Sequence, residues 1–147
     1  MLNLRVLAFF SFALFLFSAC SLQRGVLLKN HNRSLRDLRQ AVVAIAGEPR
    51  FVSQNQREIY SDYFPREKDP DFNPNIARER LYAKFTILGD RRPYDIIVEV
   101  YPEELDGSKF VRGSLDLEMS KKIARELRKY LAESPAERSI LDSFRPF

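Results

Sequence analysis

The sequence predicts a two-layer α+β domain in which helices cover one face of a three-stranded antiparallel sheet. Apolar and polar residues alternate through most of residues 81–100, which is the period expected of half-buried strands. On either side of this stretch, at 35–45 and at 123–131, apolar residues recur at helical spacing. With 147 residues, 45% of them hydrophobic, the chain can form one modest core.

The first predicted helix spans residues 35–46. Ser34 can accept a hydrogen bond from an unpaired N–H of the first turn, and Asp37 is favoured there by the helix dipole. Gly47 and Pro49 end the helix. Its apolar positions are Leu35, Leu38, Val42 and Ile45.

Residues 51–64 allow two interpretations. The polar run at 53–56 could cap a second helix whose apolar side chains share one face, but the same side chains would also suit a strand. We favour the helix. The side chains concerned are Ile59, Tyr60, Tyr63 and Phe64.

Three prolines between Phe64 and Asn75 predict a surface loop, because proline removes a backbone donor and restrains the residue before it. The alternating pattern that follows predicts the antiparallel strands. They are expected at 81–87, 94–100 and 111–117, with turns over Gly89–Pro93 and Pro102–Ser108.

Two helices are expected to complete the domain. Ser120 can cap the first, and Ser134-Pro135-Ala136-Glu137 is a strong start signal for a short second one. The predicted element order is therefore α(α)βββαα. The apolar face of the longer helix consists of Ile123, Leu127, Tyr130 and Leu131.

The first twenty residues have the composition of an export signal. Arg5 is the only charged residue before Cys20, and an uncharged, mainly apolar run covers residues 6–17. Because about 20 apolar residues are needed to cross a bilayer, this run is too short for a comfortable span and suits the h-region of a signal peptide.

Phe17-Ser18-Ala19-Cys20 resembles the lipobox of bacterial lipoproteins, in which an apolar residue and two small residues precede an invariant cysteine. The resemblance implies transfer of a diacylglyceryl group to the Cys20 thiol, cleavage before it, and stable anchoring by two or three acyl chains. Phe17 stands where the family favours leucine. Because Ser21 is not the aspartate of an inner-membrane retention signal, the outer membrane is favoured in a bacterium with two membranes.

These features divide the chain into a signal peptide at 1–19, a lipidated tether at 20–33 and one globular domain at 34–147. Two alternatives stay open for the N-terminal part. One is an uncleaved anchor that spans the membrane from Leu2 to Leu22, and the other is a conventional secretory signal in which Cys20 is incidental.

The composition excludes several kinds of site. A single cysteine excludes an intramolecular disulfide and a multi-thiolate zinc site, and a single histidine, His31, excludes a site built on two imidazoles of one chain. The five glycines are scattered, so there is no phosphate-cradling loop. The net charge of +4 comes from interspersed acids and bases, unlike the segregated excess of a nucleic-acid binder. We therefore expect no cofactor, metal ion or nucleic acid.

Two acidic clusters have some of the features of a functional site. Asp69-Pro70-Asp71-Phe72-Asn73 has the spacing that opens a calcium loop, but Pro74 and Arg80 stand where such a loop needs a glycine and a bidentate carboxylate. The acidic residues at 103–106 share a predicted turn, where exposed neighbours do not acquire the separated pKa values of a catalytic acid and base.

We therefore expect a non-catalytic binding or structural module of the cell envelope, which contacts an envelope protein or polymer through aromatic residues on restrained loops. A periplasmic hydrolase that uses Glu103 or Asp71 is the first alternative, and a membrane protein with a single signal anchor is the second. The candidate contact residues are Phe64, Phe72, Asn73, Tyr101, Glu103, Glu104 and Asp106.

Overall fold

The computed structural model describes residues 25–134, which form a six-stranded antiparallel sheet with two helices on one face. The α+β class and the antiparallel pairing are confirmed, but the prediction of a three-stranded meander is wrong. The elements are β1 (Val26–His31), α1 (Leu35–Ala46), β2 (Pro49–Val52), β3 (Glu58–Ser61), β4 (Glu79–Leu88), β5 (Tyr94–Asp106), β6 (Lys109–Arg112) and α2 (Leu117–Glu133).

Strand β5 organises the sheet, because its 13 residues are long enough to pair with three other strands. Along one edge it pairs with the whole of β4. Along the other edge, β1 pairs with its first half and β6 with its last residues. Strands β3 and β2 continue the sheet beyond β4, so the order is β1-β5-β4-β3-β2, with β6 on the same edge of β5 as β1.

Helix α1 has the bounds that the sequence predicts. The Ser34 hydroxyl accepts the Asp37 N–H at 3.0 Å, and the Asp37 carboxylate accepts the Ser34 N–H at 3.2 Å. Both halves of a capping box are therefore present. The chain leaves the helix at Gly47, whose φ of 77° favours a residue without a Cβ.

Helix α2 begins earlier than predicted. Its cap is Asp116, whose Oδ1 accepts the Met119 N–H at 2.9 Å, whereas the predicted cap, Ser120, lies inside the helix and is buried. Consequently the third strand predicted at 111–117 is wrong in its bounds. Strand β6 ends at Arg112, and the residues that follow lead into the helix.

Residues 51–64, for which we favoured a helix, contain a strand pair instead. Strand β2 pairs antiparallel with β3, and β3 pairs with β4. Ile59 is buried in the core, whereas Tyr60, the next residue, lies on the opposite face of the sheet. Both faces of β3 thus carry large side chains, which is why their spacing resembled that of a helix.

Two other predicted segments are corrected. Residues 26–31 fall within the predicted tether at 20–33, yet they form β1 and pair with β5, so they belong to the folded sheet. The turn predicted over Pro102–Ser108 is too long, because β5 continues to Asp106 and only residues 107–108 connect it to β6. The acidic residues at 103–106 are therefore strand residues.

Both helices pack on the same face of the sheet and enclose one apolar layer. Helix α2 lies against β5 and β1, and α1 lies beside α2. Alternate residues of β4 and β5 enter this layer, and the residues between them lie on the other face. The largest fully buried apolar side chains are Phe85, Leu28, Leu38, Ile59, Leu81, Ile87, Ile96 and Leu127.

Cys20 and the lipobox-like segment lie outside the described residues, as does the short helix predicted after Ser134. None of the helices within residues 25–134 has the length and apolar character needed to cross a membrane. The lipid anchor therefore stays a prediction.

Candidate functional site

The face of the sheet that lies opposite the helices carries a cluster of tyrosine and arginine side chains. In β4 and β5 these side chains alternate with core residues, so the strand period places them together on the outer face. Cross-strand pairing then sets Tyr82 directly opposite Tyr101. We call this surface the tyrosine–arginine face. It consists of Arg50, Tyr60, Tyr63, Arg80, Tyr82, Tyr101, Phe110 and Arg112.

Aromatic rings run across four neighbouring strands. The Tyr82 ring stacks between Tyr60 and Tyr101, with centroid distances of 6.3 and 5.8 Å and interplanar angles of 29° and 34°. Tyr63 meets Tyr82 edge-on at 6.2 Å, and Phe51 extends the row from Tyr60 at 5.5 Å. These separations are those at which aromatic pairs attract each other. These contacts restrict the side-chain conformations of the rings, so the surface is ordered.

Two exposed arginines lie on this row of rings. The Arg50 guanidinium carbon is 4.2 Å from the centroid of Tyr63 and 4.6 Å from that of Tyr82. The Arg112 guanidinium carbon is 3.6 Å from the centroid of Tyr101. Such cation–π contacts are electrostatically favourable and orient the guanidinium groups. The Tyr82–Tyr101 pair thus has a guanidinium group at each side.

Arg80 is the most enclosed cation of the face. Its guanidinium carbon lies between the rings of Tyr63, at 3.7 Å, and Phe110, at 3.5 Å. It forms a salt bridge of 2.7 Å with Glu103, and the two side chains are only 12% and 15% exposed. Arg80 also donates to the Pro74 carbonyl at 3.0 Å, which fastens the proline-rich segment to the sheet. This arrangement makes Glu103 a structural partner of Arg80.

Two tyrosines of the face, Tyr82 and Tyr101, are held in the neutral form. Burial raises the pKa of Tyr82 above its usual value. Burial also raises the pKa of Tyr101, and the charge of Glu99, whose Oε1 accepts a hydrogen bond from the Tyr101 hydroxyl at 3.1 Å, adds to that effect. Both phenols therefore stay protonated at neutral pH and can act as hydrogen-bond donors.

The face has unpaired positive charge. Lys84 pairs with Glu58 at 3.1 Å and Arg80 pairs with Glu103, whereas neither Arg50 nor Arg112 forms a salt bridge with any of residues 25–134. Both of these arginines are exposed. They present two oriented cations to a ligand.

The structure brings together only some of the residues predicted to contact a partner. Tyr101 and Glu103 lie on the tyrosine–arginine face, but Glu104 is exposed on the other face and Asp106 lies at the exposed end of β5. Phe64 forms an isolated bridge with Leu81 and packs against the core on the helical side. Phe72, which is half-buried, and Asn73, which is exposed, lie in the segment that precedes β4.

Two grooves lie on the helical side of the sheet. The larger, of about 590 Å³, is bounded by the end of α1, the first half of α2 and residues 64–68. The smaller, of about 530 Å³, lies between α1 and the β2–β3 pair. Phe64 lines the larger groove, and neither of the carboxylates considered for hydrolysis, Asp71 and Glu103, lines either groove.

Within residues 25–134, no three His, Cys, Asp or Glu side chains are grouped to hold a metal ion. Comparisons with models of protein families, with curated proteins and with solved structures find no match. The chemical character of the tyrosine–arginine face is therefore the main guide to function.

Of the eight residues that define this face, the sequence predicts only Tyr101 as a contact residue. The other seven include Arg50, Tyr60, Tyr82 and Arg112, which come from four different strands, so their proximity depends on strand order and register. One signal was present in the sequence, since Tyr82 occupies an outward position of a predicted strand. A large aromatic side chain at such a position is a reason to examine the outer face.

Proposed function

We propose that this chain is an exported lipoprotein, anchored through Cys20, whose domain binds a protein or polymer of the cell envelope through the tyrosine–arginine face. The proposed export and anchoring follow from the lipobox-like segment at 17–20. Two or three acyl chains would hold such a domain stably at a membrane surface. The binding role is non-catalytic.

The single observation that carries the binding role is the row of rings flanked by Arg50 and Arg112. An antiparallel sheet that turns one face to water usually carries polar side chains there. Tyrosine and arginine are instead the residues that dominate binding energy at protein interfaces, because they offer a large contact area with few rotatable bonds. The ring contacts and cation–π contacts order these side chains before binding, which reduces the entropic cost of association.

Binding is favoured over hydrolysis because of the surroundings of the candidate carboxylates. Glu103 is held in a salt bridge of 2.7 Å with Arg80, and its side chain is only 15% exposed, so it is not presented to a substrate. Asp71 is exposed and does not line either groove. A general acid or base needs both a perturbed environment and access to a bound substrate.

The binding role is tested by photo-crosslinking in the native envelope. A photoreactive amino acid at Phe51, the exposed end of the ring row, is expected to give a discrete crosslinked product. The same amino acid at Lys129, on the outer side of α2, is the matched control and is expected to give none. Equal crosslinking from both positions would contradict the proposal.

Two arginine substitutions then identify the contact surface. Arg50→Ala with Arg112→Ala is expected to reduce the Phe51 crosslink about tenfold or more, the effect of losing about 1.4 kcal/mol of binding free energy. Arg36→Ala, which removes an exposed arginine from α1, is the control and should leave the crosslink unchanged. The proposed surface is wrong if the double variant, folded with an unaltered melting temperature, crosslinks as strongly as the parent chain.

A further inference from the structure

Few residues separate Cys20 from Gly25, the first residue that the structure describes. Gly25 is packed so closely against β5 that an added Cβ would overlap the Val98 carbonyl oxygen. Five peptide steps separate Cys20 from Gly25, and a fully extended chain spans at most about 3.6 Å per residue. Gly25, the residue before β1, is therefore held within about 18 Å of the lipid-bearing residue. This span is shorter than the 17-residue helix α2, which is about 25 Å long, so the tether holds the domain close to the lipid anchor.

One flank of α2 lies along the same edge of the domain. Helix α2 contacts both β5 and β1. Its other flank faces α1, where Met119, Lys122 and Ile123 line the larger groove. Helical geometry places Arg125 and Arg128 on the flank away from that groove, which is the flank above β1. The edge from which the tether leaves is thus also the edge that carries these two arginines.

This edge has an excess of exposed positive charge. Arg125 and Arg128 are exposed and form no salt bridge with residues 25–134, and Lys29 of β1 is exposed nearby. Two acidic groups lie on the same side, and only one of them is paired with a cation within residues 25–134. Glu118 pairs with Lys121 at 2.7 Å, and Asp95 accepts the Asn30 N–H at 2.9 Å.

We infer that the β1 edge of the domain rests on an anionic bilayer surface, with Arg125 and Arg128 of α2 contacting lipid phosphate groups. This inference rests on the proposed anchoring through Cys20. The short tether confines the domain to the neighbourhood of the bilayer, so that the cations can come within a Debye length of the headgroups, where each contributes to attraction. An edge-on orientation directs the tyrosine–arginine face sideways, where it stays open to a partner in the aqueous compartment.

The inference is tested on the full-length chain extracted from membranes and reconstituted into vesicles of phosphatidylcholine, with or without phosphatidylglycerol. A fluorophore on Ala132→Cys, an exposed position on the arginine flank, reports proximity to a headgroup-level quencher. A fluorophore on Gln54→Cys, in the exposed β2–β3 connection at the opposite side of the sheet, is the control. Quenching is expected at position 132 only, and only in anionic vesicles.

Charge variants decide whether the arginines cause the orientation. Arg125→Gln with Arg128→Gln is expected to lower the ratio of docked to free domains more than tenfold, at about fivefold per cation. Lys122→Gln with Lys129→Gln removes the same charge from the same helix, but from other sides of it, and should leave the ratio within twofold. Equal effects of the two pairs would overturn the inference.

Flotation of the same vesicles separates the two proposals. If the protein floats with vesicles but position 132 is not quenched, the anchor stands and the edge-on orientation is wrong. If the protein does not float, the anchoring proposal fails and this inference fails with it. If it floats and quenching at position 132 falls only in the arginine variant, both are supported.

Discussion

The Ser120 hydroxyl of α2 accepts a hydrogen bond from the backbone N–H of Val100 at 2.9 Å, in the middle of strand β5. The same hydroxyl donates to the Asp116 carbonyl at 2.6 Å, and the Asp116 N–H donates to the Val100 carbonyl at 2.9 Å. Val100 lies on β5 between the stretch paired with β1 and the stretch paired with β6. The first turn of α2 therefore closes a gap in the sheet edge, where the backbone would otherwise lack partners.

Substitution of this buried serine is expected to destabilise the domain. Ser120→Ala leaves the buried Val100 N–H without an acceptor, which costs about 1–3 kcal/mol. The measurement is the free energy of unfolding in urea. Ser114→Ala, at an exposed position just before the helix, is the control and should change stability by less than about 0.5 kcal/mol. A Ser120 variant as stable as this control would show that the contact is dispensable.

Asp116 is expected to make stability depend on acidic pH. The Met119 N–H, and then the Arg66 guanidinium at 2.5 Å, hold the pKa of Asp116 below its usual value of 3.8. Because the unfolded chain binds this proton more readily, the stabilisation is fully present above the usual pKa and is lost as the pH falls through the folded value.

Two substitutions separate the parts of the Asp116 interaction. Asp116→Asn keeps a good capping side chain but removes the titratable group, so the acid-dependent contribution should disappear. Asp116→Ala removes the cap as well and should lower the free energy of unfolding at neutral pH by about 1 kcal/mol. Thermal unfolding across the acidic range measures both effects. An unchanged acid profile in the asparagine variant would contradict this assignment.

His31 is expected to produce a second pH dependence, at higher pH. Its Nε2 is buried without a hydrogen-bond partner in the described part of the chain. Burial, and then the positive charge of Arg128, lower the pKa of His31 below its usual value of 6.5. The folded state therefore binds the proton less readily than the unfolded state, so stability is complete above the usual pKa and falls as the pH drops through 6.5 toward the folded value.

The His31 prediction is checked with His31→Gln, which removes the titration and keeps a polar side chain. Its melting temperature should vary less than that of the parent chain between about pH 7.5 and pH 5. Parallel melting curves for the two proteins over this range would show that His31 does not contribute.

Arg80 and Glu103 are expected to be energetically coupled. A double-mutant cycle built from Arg80→Met and Glu103→Gln should give an interaction energy of about 2 kcal/mol, because both side chains are nearly enclosed. The same cycle on Lys121 and Glu118, an exposed pair on α2, is the control and should give about 0.3 kcal/mol. Equal interaction energies in the two pairs would mean that enclosure by Tyr63 and Phe110 does not strengthen the Arg80–Glu103 salt bridge.

The elements that sequence analysis predicted well are those specified by local chemistry. Helix α1 is bounded by Ser34, Asp37 and Gly47, all within or beside the helix itself. The β4–β5 hairpin follows from the alternation of apolar and polar residues on both sides of Gly89, which holds through most of the two strands. In each case the signal lies within a few residues of the element, so no knowledge of distant partners is needed.

The elements that were missed depend on distant partners. In β1 the polar residues Lys29 and Asn30 follow Leu28, and the pairing with β5 shifts register between Leu28 and His31, so no regular alternation marks the strand. In β3, Ile59 packs in the core while Tyr60 joins the ring row, so both faces carry a large side chain and no clear polar face marks the strand. These strands form because they pair with distant strands, and this pairing outweighs local propensity. The local sequence of such segments therefore does not predict them.

The candidate site could be predicted only in part. Tyr101 and Glu103 were chosen because an aromatic and an acid stood beside a predicted turn, and both do lie on the tyrosine–arginine face. Their neighbours Arg50 and Arg112 come from strands of four residues each, at opposite sides of the sheet. Only the strand order places two such distant residues on the rings of Tyr82 and Tyr101.

The most direct test of the account is the intact mass of the protein extracted from its own membranes. The proposed anchoring predicts a chain that begins at Cys20 and carries the added mass of a diacylglyceryl group, with or without a further acyl chain. A chain that begins at Met1, or one that begins near position 20 without added lipid, would contradict it.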